Sequence, residues 1–164
     1  FFHTNHEDVW RWVNRFSDWN GFVLRVRSNV RGLHVPIPVN RNTVNLLFPQ
    51  ANLTSDEDMR RWLEQHRVPH AEVRNSEELA LSTFGRELYA LMFKGYTEKQ
   101  WDTPVRNLDQ LVINRIPVRT DTDDRYFSDA HQGLPVLGYT ALFHHMLHHP
   151  NISVRLRTNY FTLN

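Results

Sequence analysis

The sequence predicts an α+β protein, mainly helical and bundle-like, with a small antiparallel sheet portion. Three observations carry this. Apolar residues recur at helical spacing in capped segments, as at Met59, Trp62 and Leu63. Period-two alternation is confined to short stretches such as Phe22, Leu24 and Val26. Strands and helices are not regularly interleaved, which argues against a parallel βαβ order.

Taken in order, Thr4 with Glu7 fits a capping box, followed by Val9, Trp10, Val13 and Phe16 at helical spacing. Alternation from Phe22 to Val26 suggests a strand, and Arg31-Gly32 suggests a turn into a second extended run over 34–39. Pro36 and Pro38 forbid helix there and favour an edge. A short helix over 40–48 should end before Pro49. Thr54 with Glu57 makes a second capping box, and Asn75 with Glu78 starts a third helix that Gly85 breaks or bends. Leu88, Leu91 and Met92 continue helically to Gly95, which reads as a stop. Residues 108–114 read as helical and 116–119 as short and extended. A helix over 139–149 should turn Leu142, Phe143, Met146 and Leu147 inward, with a last strand through Ile152, Val154 and Leu156. The helical part is thus about 40–115, with sheet-associated strands about 22–39, 116–127 and 152–160.

Composition narrows the function classes. The 164 residues are 40% apolar and 23% charged, enough for a core in a chain that stays soluble, and the formal charge is +1. That balance offers no basic stripe for nucleic acid or a membrane surface. The absence of cysteine excludes disulfides and thiolate chemistry and is compatible with a reducing cytoplasm. No apolar run approaches the ~20 residues a membrane span needs. The first residues, Phe1-Phe2-His3-Thr4-Asn5, carry neither a start Met nor a leader pattern, and read as a cut inside a longer protein.

Three stretches are dense in chemistry-bearing residues. They are 93–101 (Phe-Lys-Gly-Tyr-Thr-Glu-Lys-Gln-Trp), 115–119 (Arg-Ile-Pro-Val-Arg) and 123–127 (Asp-Asp-Arg-Tyr-Phe). A diphosphate calls for forked, permanent cations, which Arg115 and Arg119 supply. A nucleobase calls for a flat apolar face on a rigid turn, which Tyr96 and Trp101 after Gly95 would present. The competing reading makes Tyr96 and Trp101 core residues and pairs both arginines with Asp121, Asp123 or Asp124.

These stretches resemble the UDP-galactopyranose mutase family. So do F-H-T-N at 2–5, R-V at 25–26, P-V-N at 38–40, G-R-E-L-Y at 85–89, Q-G-x-P at 132–135 and G-Y-T-A-L at 138–142. They stand in the family's order over essentially the whole chain. The sharpest signature is K-G-Y-T-x-K-Q-W followed by R-x-P-V-R. The resemblance implies a flavin-dependent isomerase that interconverts UDP-galactopyranose and UDP-galactofuranose in the cytoplasm, for cell wall polysaccharide. It implies reduced FAD as the cofactor, whose N5 displaces UDP, and a homodimeric parent enzyme.

By position, the resemblance makes Arg115 the catalytic diphosphate-holding arginine and Tyr126 its neighbour on the diphosphate. Phe93, Tyr96 and Thr97 match the uridine end, with Met92 where many members have Phe. Trp101 matches the tryptophan of a mobile substrate loop. Leu24 stands at a usually polar substrate-side position, and His3 matches a flavin-side histidine. The whole chain, 1–164, then reads as the substrate-binding region. The six glycines form no G-x-G-x-x-G, so the FAD-binding Rossmann motif is absent and the isolated chain is expected to bind no FAD and to be inactive.

Other readings remain open. A non-catalytic nucleotide-sugar binding or interaction module would keep Arg115, Tyr126 and the Tyr96 turn, and a purely structural helical piece would self-associate. His144, His145, His148 and His149 form two i, i+4 pairs, but no acidic third ligand is near in sequence, so no metal site is expected.

Overall fold

A tight hairpin turn, three side-chain caps and one forced glycine organise most of the structure, a computed structural model that describes residues 1–163. In chain order its elements begin with β1 (Phe2–Thr4), α1 (Glu7–Val13), β2 (Val26–Val30), β3 (Leu33–Ile37) and α2 (Arg41–Leu47). They continue with α3 (Asp56–His66), α4 (Ser76–Leu88), α5 (Lys94–Trp101), α6 (Leu111–Asn114), β4 (His131–Gly133) and α7 (Gly138–Leu147). One π-helical turn, Tyr89–Phe93, joins α4 to α5. The sheets are two antiparallel pairs, β1 with β4 and β2 with β3, so the class is α+β as predicted. Among the described residues, no helix is long and apolar enough to cross a membrane. The chain divides into two units: Leu24–Phe127, and Phe1–Val23 with the chain from Ser128 on.

In the unit Leu24–Phe127, Arg31 and Gly32 form the predicted two-residue turn, with φ 52° and 85°. Two successive positive φ values match the right-handed twist of the flanking strands. The Asn29 Oδ1 accepts the Gly32 N–H at 3.0 Å and pins the turn. β3 pairs on one side only, Arg27 opposite Pro36, so the missing proline N–H breaks no second ladder. Regular strand begins at Val26 and not at Phe22. The expected strand at 116–127 reduces to one parallel bridge between Val39 and Val118. Pro117 has no N–H to extend the ladder, and the turn at 121–124 diverts the chain.

Caps set the helix starts. Asn40 accepts the Thr43 N–H and starts α2. α3 starts one residue later than the sequence suggests, because Ser55 and Asp58, not Thr54 and Glu57, close the box. Asp58 also takes the Thr54 hydroxyl and N–H, so with the Ser55 N–H its carboxylate collects three donors. The Ser55 side chain foremost, then Thr54, holds its pKa at about 2. Asn75 starts α4 by accepting the Glu78 N–H at 3.0 Å. Met59, Trp62 and Leu63 are buried as predicted, against a core that includes Val35, Val39, Phe84 and Leu88. Full burial of each such side chain stabilises by about 1.5–3 kcal/mol.

Gly85 bends the helix as predicted, at φ 82° and ψ 172°. A Cβ there would overlap the His66 carbonyl, so the end of α3 and the kink of α4 approach backbone to backbone. Gly95, by contrast, is not a stop. Its φ is not positive and a Cβ there would meet open space, so helix passes through it to Trp101. The stop is Asp102 in the left-handed region (φ 48°), two residues before Pro104. Of the predicted 108–114 helix, only α6 is α-helical, after a 3-10 turn at Val105–Asn107.

In the other unit, β1 and β4 pair with Phe2 opposite Gly133. Trp10 stacks on His131, ring centres 4.8 Å apart, and Phe2, Trp10 and Trp19 fill the space beside them. The predicted Thr4–Glu7 capping box does not form. Thr4 is a buried strand residue whose hydroxyl accepts the His6 N–H, and Glu7 instead meets His131 Nε2 at 2.6 Å. On α7, Leu142 is buried, but Phe143 and Leu147 are exposed rather than inward. No strand forms at 152–159 among the described residues, and Ile152, Val154 and Leu156 are exposed. Alternation alone makes no strand without a partner edge to complete the ladder.

The two glycines of the helical run should respond oppositely to alanine. Gly85→Ala meets both a forbidden φ and a backbone clash, and should lower stability by about 2–5 kcal/mol. Gly95→Ala should raise it by about 0.5–1 kcal/mol, because only chain entropy changes. Thermal unfolding of both variants checks the pair; a destabilised Gly95→Ala would restore the stop reading.

Candidate functional site

Four segments of the unit Leu24–Phe127 converge on one cavity of about 510 Å³. β2 and the residues entering it supply Leu24, Val26 and Ser28. The π-turn supplies Met92 and Phe93, and α5 supplies Tyr96, Thr97 and Trp101. The end of α6 supplies Ile113 and Arg115, and Tyr126 closes the ring. The volume lies in the range of ordinary small-molecule sites. Apart from His3, every site residue that the resemblance assigns lines this cavity, whereas Arg119 does not. His3 belongs to the other unit, where its Nδ1 lies 2.9 Å from Asp129 Oδ2.

The π-turn explains how the helical wall is aimed. A π-turn inserts one residue and rotates everything after it about the axis, and such turns recur at functional sites. Its first residue, Tyr89, donates its hydroxyl to Glu77 Oε1 at 2.9 Å, tying the turn back to the start of α4. Burial first, then the Glu77 carboxylate, pushes the Tyr89 phenol well above its usual pKa. Past that anchor, Met92, Phe93 and Thr97 are buried and form the floor. Tyr96 and Trp101 stand at the rim, 60% and 46% exposed. They are therefore not core residues. They sit on a helix, not on a turn, which correlates their positions more rigidly than a loop would.

The two arginines of 115–119 divide. Arg119 is structural: its guanidinium donates to the carbonyls of Arg125 at 2.6 Å and Tyr126 at 3.2 Å, and lies 3.7 Å from Asp123. Arg115 has no ion pair or side-chain hydrogen bond among the described residues, and is exposed at the cavity. Asp123 is consumed by Arg125, with Nε–Oδ1 3.0 Å and Nη2–Oδ2 2.7 Å, a bidentate pair that holds its pKa at about 2. The pairing reading thus holds for Arg119 and fails for Arg115.

The loop that Arg119 holds places Tyr126, whose N–H donates to the Leu24 carbonyl at 2.8 Å. Ser28, Arg27 and Asn29 also line the cavity and were not singled out from sequence. Ser28 could have been, since the period of two from Leu24 through Val26 reaches it. Arg27 and Asn29 are partly committed: Arg27 donates to the His34 carbonyl and lies 3.9 Å from Asp124, and Asn29 holds the hairpin turn.

No group of three His, Asp or Glu side chains that could hold a metal occurs among the described residues. In the histidine quartet, His144 and His148 stack with centres 6.2 Å apart, and His145 Nδ1 lies 2.9 Å from the Phe16 carbonyl.

A free forked cation, a phenol and a rim of exposed rings over an apolar floor share this cavity. Family comparison matches residues 91–164 to UDP-galactopyranose mutase. A probable UDP-galactopyranose mutase of Klebsiella pneumoniae is 38% identical over 97% of this chain and 41% of its own length. A dTDP-fucopyranose mutase of Escherichia coli is 36% identical over 94% of this chain and 41% of its own. A UDP-galactopyranose mutase of Mycoplasma genitalium is 29% identical over 94% of this chain and 39% of its own. The chain is matched by these relatives over 94–97% of its own length and spans about two fifths of theirs.

The Asp123–Arg125 pair should write itself into the pH dependence of stability. The Asp123 pKa is lowered in the folded chain to about 2, from 3.8. Its contribution is therefore complete above about pH 4 and is lost as pH falls through 2. Urea unfolding of the native chain and Asp123→Asn should diverge at pH 6 and converge toward pH 2. Parallel curves over that range would show that the pair does not hold the loop.

Proposed function

We propose that this chain supplies the nucleotide-sugar pocket of a UDP-galactopyranose mutase, a cytoplasmic, flavin-dependent, homodimeric isomerase that interconverts UDP-galactopyranose and UDP-galactofuranose. The observation that carries the reading is Arg115: an uncommitted guanidinium on a pocket whose other lining arginine, Arg27, is partly committed to the hairpin and Asp124. An exposed, unpaired guanidinium keeps its fork free, and a diphosphate offers that fork a bidentate acceptor. Tyr126 donates its hydroxyl to the same diphosphate. Phe93, Tyr96, Thr97 and Trp101 receive the nucleoside, a ring against the rim and floor and a hydroxyl within reach. Arg115 neutralises charge that grows on the diphosphate as the sugar–oxygen bond breaks, which is its catalytic part.

The flavin is a separate matter. A flavin diphosphate needs a glycine-rich turn between a strand and a helix, and none occurs among the described residues. His3, in the unit formed by the chain ends, is the residue that the family resemblance places beside a flavin. No step is assigned to a flavin on this chain; its residues bind, orient and neutralise. The relatives include a dTDP-fucopyranose mutase, so base and sugar are both open in the pocket.

UDP titration followed by NMR tests the reading. Resonances of Tyr96, Trp101 and Tyr126 should shift with UDP, and Arg115→Ala should weaken binding about 10–100-fold, the worth of a charge-assisted bond. The thermal midpoint of Arg115→Ala should stay near that of the native chain, whereas Arg119→Ala should lower it. Absence of shifts at millimolar UDP would sink the reading.

A further inference from the structure

The π-turn has no reason in its own sequence to leave the α register. Tyr89-Ala90-Leu91-Met92-Phe93 contains neither glycine nor proline, and alanine, leucine and methionine are among the best α-helix formers. The wider register is therefore imposed from outside the turn. Packing supplies part of it, since Tyr89, Met92 and Phe93 are buried. The polar part is the Tyr89 hydroxyl, which donates to Glu77 Oε1 at 2.9 Å from twelve positions away. A straight α-helix would separate two such residues by about 18 Å, further than their side chains can bridge. They meet because Gly85, at φ 82°, breaks the axis between them. The bond thus braces the kink and fixes the direction in which the turn leaves it.

Beyond the brace comes a wall of the pocket. Phe93, Tyr96, Thr97 and Trp101 recur at helical spacing on one face, and all four line the cavity, whereas Tyr89 does not. In a turn relaxed to the α register that face would rotate by roughly 100°, one residue's share of a helical turn, and carry the rings away from the cavity. The phenol is suited to resist this. Burial, then the Glu77 carboxylate, then the charge of Glu98 on α5 hold its proton on, so it has a hydrogen to donate throughout the neutral range. We propose that Tyr89, outside the pocket, is a positioning residue: its bond to Glu77 holds the π-turn in register and keeps the face from Phe93 to Trp101 turned to the ligand. The consequence for binding rests on the nucleotide-sugar reading given above.

Calorimetry with UDP and NMR of the ligand-free chain test this, both well below the melting temperature. Tyr89→Phe keeps the buried ring and removes only the hydroxyl. It should weaken UDP binding about 3–10-fold, the worth of one hydrogen bond, and move the ring resonances of Tyr96 and Trp101 before any ligand is added. Glu77→Ala, which leaves the buried ring in place, should do the same and carries the test if Tyr89→Phe does not fold. The double variant should lose no more than either single one. Glu77→Gln, whose amide oxygen still accepts, should bind UDP as the native chain does. Native affinity or native ring resonances in the folded variants would leave the bond a role in stability alone and overturn the inference, as would additive losses in the double variant. Should the native chain bind no UDP, the nucleotide-sugar reading falls, and the ring resonances of the free variants decide the positioning role by themselves.

Discussion

The buried amide of Asn40 is the interaction on which the arrangement of the pocket depends. Its Oδ1 accepts the Thr43 N–H at 3.0 Å, and its Nδ2 donates to the Asp123 carbonyl at 3.1 Å and to Asp124 Oδ1 at 2.9 Å. Thr43 answers by accepting the Asn40 N–H and donating to the Pro38 carbonyl at 2.8 Å. Every donor and acceptor of this pair is used in a site with no solvent, where an unmade bond costs about 1–3 kcal/mol. One residue therefore stops the hairpin, starts α2 and captures a loop more than eighty positions away. The adjacent bonds Val39 N–H to Pro117 and Arg119 N–H to Val39 continue the same seam.

That seam decides which groups are left for a ligand. Because residues 117–119 are stitched to Val39, Arg119 is drawn under the loop at 123–126 and spends its donors on carbonyls there. Arg125 closes on Asp123, so that carboxylate is neutralised and not left for Arg115. Arg115, one turn earlier, stands outside the seam and keeps its fork. The same motif thus holds one arginine committed to the fold and one left uncommitted, and the difference lies in hydrogen-bond bookkeeping and not in residue type.

Much of this was legible in the sequence, for identifiable reasons. Local chemistry that a short stretch completes by itself read correctly: the Arg31-Gly32 turn, the Asn75 cap, the break at Gly85 and the apolar face of α3. The pocket residues were reached through motif resemblance, and the structure gathers all but His3 on one cavity. What was misread depended on partners distant in sequence. Gly95 looked like a stop because propensity is local, yet Met92, Phe93 and Thr97 around it are buried and carry helix through it. Thr4 lost its capping role to strand pairing with His131. Phe143 and Leu147 have helical spacing, but spacing says nothing about whether a surface exists to cover them.

The pocket joins two kinds of residue with different consequences for change. Phe93 packs on Phe84 with ring centres 4.6 Å apart, and Thr97 is as buried as the core around it. Replacing either disturbs the floor and the core together, since a cavity costs what its neighbours cannot close. Tyr96, Trp101 and Arg115 are exposed and bring no such debt, so the fold tolerates them without needing them. Residues that stability does not require, gathered on one cavity and including an unpaired cation, are hard to explain by packing. Tyr126, held in place by a loop that the fold does require, is where the two classes meet.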